Sequence, residues 1–187
     1  MNTKTVALTM EQYENIIVTM RDGFAGFRPN NRIATALVIE ANLGLRIGDI
    51  LNLKLNDIIR DGARYRLNII EEKTEKERVF TVPLPIYQYI ENYCLKNNIA
   101  NNEIIFPITK RVVQFQLKKV CEYLGYSNIS THSFRKYYAT QIYKNNDYDI
   151  ALVQHLLQHS SASTTQKYIG IENKKVEQAI LNHSNLL

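Results

Sequence analysis

Four short stretches of the sequence carry side chains suited to chemistry on a phosphate ester. Arginines and lysines neutralise phosphate oxygens, histidines move protons near neutral pH, and a tyrosine hydroxyl can act as a nucleophile. Any one stretch, such as a histidine three residues before an arginine, occurs by chance in many chains. The candidate residues, in chain order, are Arg46, Lys73, His132, Arg135, His159 and Tyr168.

The elements that must position these residues follow from the apolar periodicity, which predicts a mainly α-helical fold with one small antiparallel β-sheet (α+β). Thr9 and Gln12 have the form of a capping box that opens a first helix. A second, largely buried helix is expected to end at Gly44, and a short third helix follows. Further helices are predicted from Pro85, over 110–124, 132–145 and 149–157, and around Tyr168.

A period of two in RYRLNII and RVFTVPL predicts a β-hairpin. Its connection, EEKTEKE, is polar throughout and places Lys73 and Lys76 at a charged tip. The residues expected to share one face are Tyr65, Leu67 and Ile69 on the first strand and Val79, Thr81 and Pro83 on the return strand.

Composition indicates one globular domain. The chain has 187 residues, of which 45% are hydrophobic and 22% charged, and no Pro/Gly/Ser linker divides it. No segment approaches the roughly 18 apolar residues of a membrane span, and the N-terminus lacks a signal peptide. Cys94 and Cys121 are the only cysteines, so neither a disulfide framework nor a Cys-rich zinc site is available. A cytoplasmic setting is expected.

Basic residues are concentrated in one part of the chain. The net charge is +5, yet residues 108–144 contain seven basic residues and one acidic residue, so this segment carries +6 and the remainder −1. Such a local excess is typical of a surface that binds a polyanion, although a solvated helix face has the same composition. The residues predicted to contact such a polyanion are Lys110, Arg111, Lys118, Lys119 and Lys136.

The order and context of the four stretches resemble the catalytic domain of the tyrosine recombinase (phage integrase) family, from about Thr9 to about Gly170. The family's G-L-R-[IV]-x-[ED] motif is matched by residues 44–49, and its hairpin lysine by Lys73 followed by RVFTVPL. An H-x-x-R motif opens a helix at His132. The pattern H-x-x-x-x-T-T-x-x-Y is matched by HSSASTTQKY, with the histidine nine residues before the tyrosine.

The resemblance implies that two arginines hold the phosphate. Attack on a DNA phosphodiester builds negative charge on the two non-bridging oxygens. Guanidiniums suit that charge because they stay ionised and make forked hydrogen bonds. This task falls to Arg46 and Arg135, which we call the arginine clamp. With the clamp in place the reaction is expected to need no metal ion and no other cofactor.

The remaining roles also come from the resemblance. Tyr168 would be the nucleophile and form a covalent 3′-phosphotyrosyl intermediate that conserves the bond energy, so no ATP is needed. The nearby arginines are expected to favour its phenolate. Lys73 would protonate the leaving 5′-oxygen. His132 would accept or relay a proton, and His159 would hydrogen-bond a non-bridging oxygen.

Several of these residues have structural alternatives. Lys76 competes with Lys73 because both lie in the charged turn, and only the family's placement of its lysine at the end of the first strand favours Lys73. Asp49 is expected to support Arg46 rather than to take part in the chemistry. The two histidines could have purely structural roles. Tyr168 is one of 12 tyrosines, so its assignment depends on position alone.

Together these features predict a site-specific DNA recombinase or integrase. A type IB topoisomerase uses similar chemistry to relax DNA, and a non-catalytic DNA-binding regulatory protein could keep the same fold. A pure DNA-binding protein has no use for a nucleophile at Tyr168, which favours the enzyme.

One catalytic domain is expected over residues 1–187, without the N-terminal core-binding domain that most recombinases carry. An apolar stripe predicts a helix over 172–187, and the resemblance implies that this helix docks on a neighbouring protomer. The expected partners are double-stranded DNA, further copies of this chain (a tetramer in synapsis, a monomer in free solution) and an accessory protein, with no membrane. The encoding genome is expected to be bacterial, phage or that of a mobile element.

Overall fold

The computed structural model describes residues 5–159 and 161–169. These residues form a mainly α-helical fold with one small antiparallel sheet, which confirms the predicted fold class. The helices are α1 (Met10–Asp22), α2 (Asn31–Leu43), α3 (Ile47–Leu51), α4 (Leu84–Lys96), α5 (Lys110–Tyr123), α6 (Thr131–Asn145), α7 (Ile150–Leu157) and α8 (Ala162–Ile169). The strands are β1 (Ile58–Asp61), β2 (Arg64–Ile70) and β3 (Glu77–Val82). The helix predicted over 172–187 lies outside the described residues.

Local sequence accounts for the ends of the first two helices. α1 begins with the predicted capping box, in which the side chains of Thr9 and Gln12 each accept a hydrogen bond from the other residue's backbone N–H. α2 ends at Gly44, whose φ of 60° lies in the left-handed region that favours glycine. This ending turns the chain directly into the stretch that carries Arg46.

Gly44 also permits a close approach between α2 and α6. A Cβ added at position 44 would lie 2.2 Å from Cδ1 of Tyr138. We expect Gly44→Ala to lower the free energy of unfolding by about 2–4 kcal/mol, because backbone strain and overpacking act together. Gly62→Ala is the matched control, since Gly62 has a φ of +61° and no atom within 4 Å of an added Cβ. Urea unfolding should show a smaller loss of unfolding free energy in Gly62→Ala, because only backbone strain acts at that position. Equal losses of unfolding free energy in the two variants would contradict the close approach of α2 and α6.

The sheet has the strand order β1-β2-β3, with both pairs antiparallel. β2 and β3 are the predicted hairpin, whereas β1 was not predicted. The expected face of the return strand was wrong by one residue: Phe80 pairs with Leu67 and Val82 with Tyr65, while Val79 and Thr81 are exposed. The inward positions of β3 are therefore 78, 80 and 82, and the first of them is an arginine.

Helix α6 contributes to two apolar clusters. Phe134 and Tyr137 pack into the main core formed with the first five helices and the sheet. Ala139 and Tyr143 pack into a smaller cluster with α7 and α8. The first two turns of α6, which carry His132 and Arg135, therefore lie where the two clusters meet. None of the helices within the described ranges is long and apolar enough to cross a membrane.

Candidate active site

Arg135 is buried where three elements meet. Only 2% of the residue is exposed. Its Nη1 donates to the carbonyl of Gly44 at the end of α2 (2.6 Å), and its Nη2 donates to the carbonyl of Leu157 at the end of α7 (3.0 Å). Burial lowers the pKa of Arg135, and the positive charges of Arg78 and Arg46 lower it further. The guanidinium therefore has a fixed orientation, and the other two cations lie within its electrostatic reach.

Arg46 occupies the N-cap position of α3 and is half-buried. Its Nη1 donates to Oε2 of Glu71, which is the residue directly after β2. Asp49 was expected to support Arg46, but its Oδ1 accepts a hydrogen bond from the backbone N–H of Glu72 instead (2.9 Å). Asp49 thus holds the chain at the base of the hairpin loop, and Glu71 is the carboxylate that pairs with Arg46.

Tyr168 lies on α8 with its hydroxyl oxygen enclosed by protein. This oxygen makes no hydrogen bond of normal geometry among the described residues. Burial raises the pKa of Tyr168 to about 12, although the guanidiniums of Arg135 and Arg46 act in the opposite direction. The expected effect of the arginines is therefore present, but burial outweighs it. In the structure without DNA, the phenol is held in its protonated form.

His159 lies beside the phenol. Its ring stands edge-on to the ring of Tyr168, with centroids 5.0 Å apart. Its Nδ1 is 3.0 Å from Oγ1 of Thr165 on α8. Burial lowers the pKa of His159 to about 4, with further lowering by Arg135, Arg46 and Arg78. The imidazole is therefore neutral at physiological pH and is suited to hydrogen bonding rather than to charge neutralisation.

His132 lies in the first turn of α6 and is exposed. Although the residue as a whole is exposed, desolvation by the surrounding protein lowers the pKa of His132. The charges of Arg135, Lys73 and Arg46 lower this pKa further. A neutral imidazole surrounded by cations can accept a proton but does not hold it strongly. His132 therefore lies within electrostatic reach of both arginines of the clamp and of Lys73. These four residues, all predicted from the sequence, face a common region.

The loop between β2 and β3, residues 71–76, carries both candidate lysines; we call it the lysine loop. Lys73 and Lys76 are both exposed. Lys73 acts electrostatically on His132. Lys76 lines a cavity together with Arg78 and His159. Both lysines are therefore close to predicted site residues, and the choice of Lys73 stays a prediction.

Sequence reasoning missed two buried charged residues at this site. Arg78, only 3% exposed, donates from Nη1 to Oε1 of Glu71 (2.8 Å) and from Nη2 to the carbonyl of Leu156 (2.7 Å). Glu40 on α2 is fully buried, and both of its carboxylate oxygens lack a hydrogen-bond partner of normal geometry among the described residues. Burial raises the pKa of Glu40 well above its usual range, with Arg135 acting against it. The inward position of Arg78 depends on the register between β2 and β3, which the sequence pattern did not reveal.

The predicted DNA-binding residues divide into two groups. Arg111, Lys118 and Lys119 are exposed on α5, and Arg111 and Lys118 lie on one stripe about 10 Å apart. Lys110 is also exposed and pairs with Glu72 (2.7 Å).

Lys136 has a different environment from the lysines of α5. It is 8% exposed, and its Nζ donates to the carbonyl of Thr5 (2.6 Å) and lies 5.2 Å from the centroid of the Tyr168 ring. Its DNA contact stays a prediction, while its position links it to the nucleophile candidate. Among the described residues there is no group of three or more His, Cys, Asp or Glu side chains that could hold a metal ion.

Comparison with known proteins places this geometry in a family. Residues 7–175 match the sequence profile of the phage integrase family. The probable integrase/recombinase YoeC of Bacillus subtilis (strain 168) is 31% identical over 150 residues, which cover 76% of this chain and 80% of that protein. Tyrosine recombinase XerC of Caldanaerobacter subterraneus subsp. tengcongensis is 26% identical over a region that covers 94% of this chain and 50% of XerC.

A solved structure has the same fold. The XerH site-specific recombinase bound to palindromic difH substrate, in a post-cleavage complex, superposes with a TM-score of 0.70 at 20% identity, over 96% of this chain and 53% of that chain. The protein therefore belongs to the phage integrase family. It spans about half the length of XerC and of the XerH chain.

Proposed function

We propose that this chain is the catalytic domain of a site-specific DNA recombinase that cuts and rejoins double-stranded DNA through a covalent 3′-phosphotyrosyl intermediate. The observation that carries the proposal is the buried guanidinium of Arg135, which has Arg46, His132, His159 and Tyr168 within electrostatic reach. Membership of the family supports it, as does the naming of YoeC and XerC as recombinases. The complex of XerH with its DNA substrate indicates the class of substrate.

The arginine clamp has donors left for a phosphate. A guanidinium carries five N–H groups, and Arg135 uses two of them on the carbonyls of Gly44 and Leu157. Arg46 uses Nη1 on Glu71. The remaining N–H groups can meet the two non-bridging oxygens, where charge develops in the pentavalent transition state. Because the site is partly buried, each of these bonds acts in a lower dielectric than water and is stronger for it.

Tyr168 must leave its enclosed position before it can attack. Burial is the main cause of its raised pKa, so movement out of the enclosed position into a hydrated site would remove much of the barrier to deprotonation. Arg135 and Arg46 would still favour the phenolate. The single hydroxyl hydrogen of Thr165 can go to Nδ1 of His159 (3.0 Å) or to the carbonyl of Ser161 (3.3 Å). In the first arrangement the ring of His159 carries its proton on Nε2 and can donate it to a phosphate oxygen.

A suicide substrate tests the proposal. In a duplex nicked close to the cleavage site, the short downstream strand diffuses away after cleavage and leaves the enzyme attached to the 3′-phosphate. We expect an adduct that survives denaturing electrophoresis and forms in the presence of EDTA. Binding without any adduct would indicate a non-catalytic DNA-binding protein. Processive relaxation of any plasmid, without site preference, would indicate a topoisomerase.

The role of Lys73 gives a separate prediction. Lys73→Ala should slow cleavage of ordinary DNA by about 10²–10⁴-fold, because the departing 5′-oxygen loses its proton donor. A substrate with sulfur in place of that bridging oxygen should restore the rate to within a few-fold of the wild-type rate, since a thiolate leaves without a proton. Single-turnover cleavage of the two substrates measures both effects.

Lys76→Ala is the matched control for Lys73→Ala, because it removes the same charge from the same loop. It should cleave both substrates at close to the wild-type rate. If Lys76→Ala shows the sulfur rescue and Lys73→Ala does not, the two lysines have to exchange roles.

A further inference from the structure

Glu71 is a fully buried carboxylate at the point where β2 enters the lysine loop. Its side chain is 0% exposed. Oε2 accepts hydrogen bonds from Arg46 and from the hydroxyl of Thr74 (2.8 Å), and Oε1 accepts one from Nη1 of Arg78 (2.8 Å). One carboxylate thus accepts hydrogen bonds from two guanidiniums and a hydroxyl. These groups lie at the start of α3, on β3 and in the lysine loop.

These contacts continue from Glu71 to the second arginine of the clamp. Arg78 bonds Glu71 through Nη1 and the carbonyl of Leu156 through Nη2. The next carbonyl along α7, that of Leu157, accepts from Nη2 of Arg135. A continuous set of polar contacts therefore runs from Arg46 through Glu71, Arg78 and the last turn of α7 to Arg135.

Glu71 also closes the lysine loop through its backbone. Its N–H donates to the carbonyl of Lys76 (3.0 Å), and its carbonyl accepts from the N–H of Glu75 (2.9 Å). Together with the side-chain bond from Thr74, these contacts fix both ends of the loop that carries Lys73. The same residue therefore sets the position of an arginine of the clamp and the base of the loop that holds the proton donor.

Charge explains why a carboxylate is needed here. Arg46 and Arg78 are cations that approach one acceptor group, so their mutual repulsion has to be offset. Burial on its own would raise the pKa of Glu71, but hydrogen bonds from Arg78, Arg46 and Thr74 outweigh it and hold the pKa at about 2. The group is therefore ionised at every pH at which the enzyme would work, and a buried ion pair that loses one partner leaves the other uncompensated.

We propose that Glu71 is a positioning residue that orients Arg46 and fixes its placement relative to Arg135 for phosphate binding. This inference rests on the proposed recombinase function. Glu71 does not touch the substrate; it acts through the two guanidiniums. A displacement of the clamp by about 1 Å is enough to lower a reaction rate by about 10²-fold. The total positive charge available to DNA stays the same, so affinity should change little.

The test compares Glu71→Gln with Glu75→Gln, which makes the same change of charge at an exposed position of the same loop. Single-turnover cleavage of the suicide substrate at saturating DNA should fall by about 10–100-fold in Glu71→Gln. Its DNA dissociation constant should stay within about twofold of the wild-type value. Glu75→Gln should keep both quantities. If Glu71→Gln does not fold, Glu71→Asp retains the charge but withdraws it by one methylene, and it should still cleave at least about fivefold more slowly.

The outcomes separate the two proposals. Cleavage at the wild-type rate by Glu71→Gln, or by Glu71→Asp if that is the variant that folds, overturns the positioning role and leaves the recombinase function intact. A loss of DNA affinity that matches the loss of rate also overturns it, because Glu71 would then act on binding. A wild-type protein that forms no adduct at all refutes the function and the positioning role with it.

Discussion

A Tyr168→Phe variant should bind DNA as tightly as the wild type and form no covalent adduct, with cleavage slower by at least about 10⁴-fold. The substitution removes the one oxygen that the proposed mechanism uses as nucleophile. The fold should be unaffected, because this hydroxyl makes no hydrogen bond of normal geometry among the described residues. Arg135 also keeps its bonds to the carbonyls of Gly44 and Leu157. Trapping on a suicide substrate, combined with thermal unfolding of the free protein, measures both effects.

Tyr138→Phe is the matched control for this prediction. Tyr138 is half-buried on α6, and burial raises its pKa while Arg78 and Arg135 act against that rise. It is therefore a second phenol under the influence of Arg135. Tyr138→Phe should form the adduct at close to the wild-type rate. An adduct that persists in Tyr168→Phe and disappears in Tyr138→Phe would assign the nucleophile to α6 instead.

The second large effect is expected from Arg135→Lys. Lysine keeps the positive charge but cannot bond the carbonyls of Gly44 and Leu157 while presenting a fork of donors to a phosphate. We expect the single-turnover cleavage rate at saturating DNA to fall by about 10³-fold. DNA affinity should fall by less than about threefold, because the net charge is unchanged. A variant that retains cleavage within tenfold would contradict the role of Arg135 in the clamp.

Arg111→Ala shows what a pure binding residue would do. Arg111 is exposed on α5, unlike the buried Arg78 and Arg135. Its loss should weaken DNA binding and reduce the salt dependence of that binding by about one phosphate contact. The cleavage rate at saturating DNA should stay close to the wild-type value. The opposite responses of Arg111→Ala and Arg135→Lys distinguish binding from transition-state stabilisation.

Sequence was sufficient for the fold class and for most of the elements, with strand β1 as an exception. The capping box at Thr9, the helix end at Gly44 and the β-hairpin all depend on local interactions, which a periodicity or a glycine reveals. The family resemblance placed the arginines, because the motifs that contain Arg46 and Arg135 are short and contiguous. Their burial follows from the apolar residues around them.

The features that could not be predicted are those that depend on contacts between distant segments. Alternation alone does not decide which face of β3 pairs with the face of Leu67, and the prediction that Val79 and Thr81 share that face was wrong by one residue. The structure instead turns Arg78 inward, where its charge is satisfied by Glu71 and by α7. The enclosed hydroxyl of Tyr168 likewise depends on how α8 packs against α6, which no short motif encodes.

A crystal structure of Tyr168→Phe bound to an uncleaved duplex that contains its recombination site would show which side chains hold the scissile phosphate. We expect Arg46 and Arg135 to donate hydrogen bonds to the non-bridging oxygens of one phosphate, with Lys73 near the bridging 5′-oxygen of the same group. Arginines bound to two different phosphates, or a scissile phosphate that contacts neither of them, would contradict this expectation.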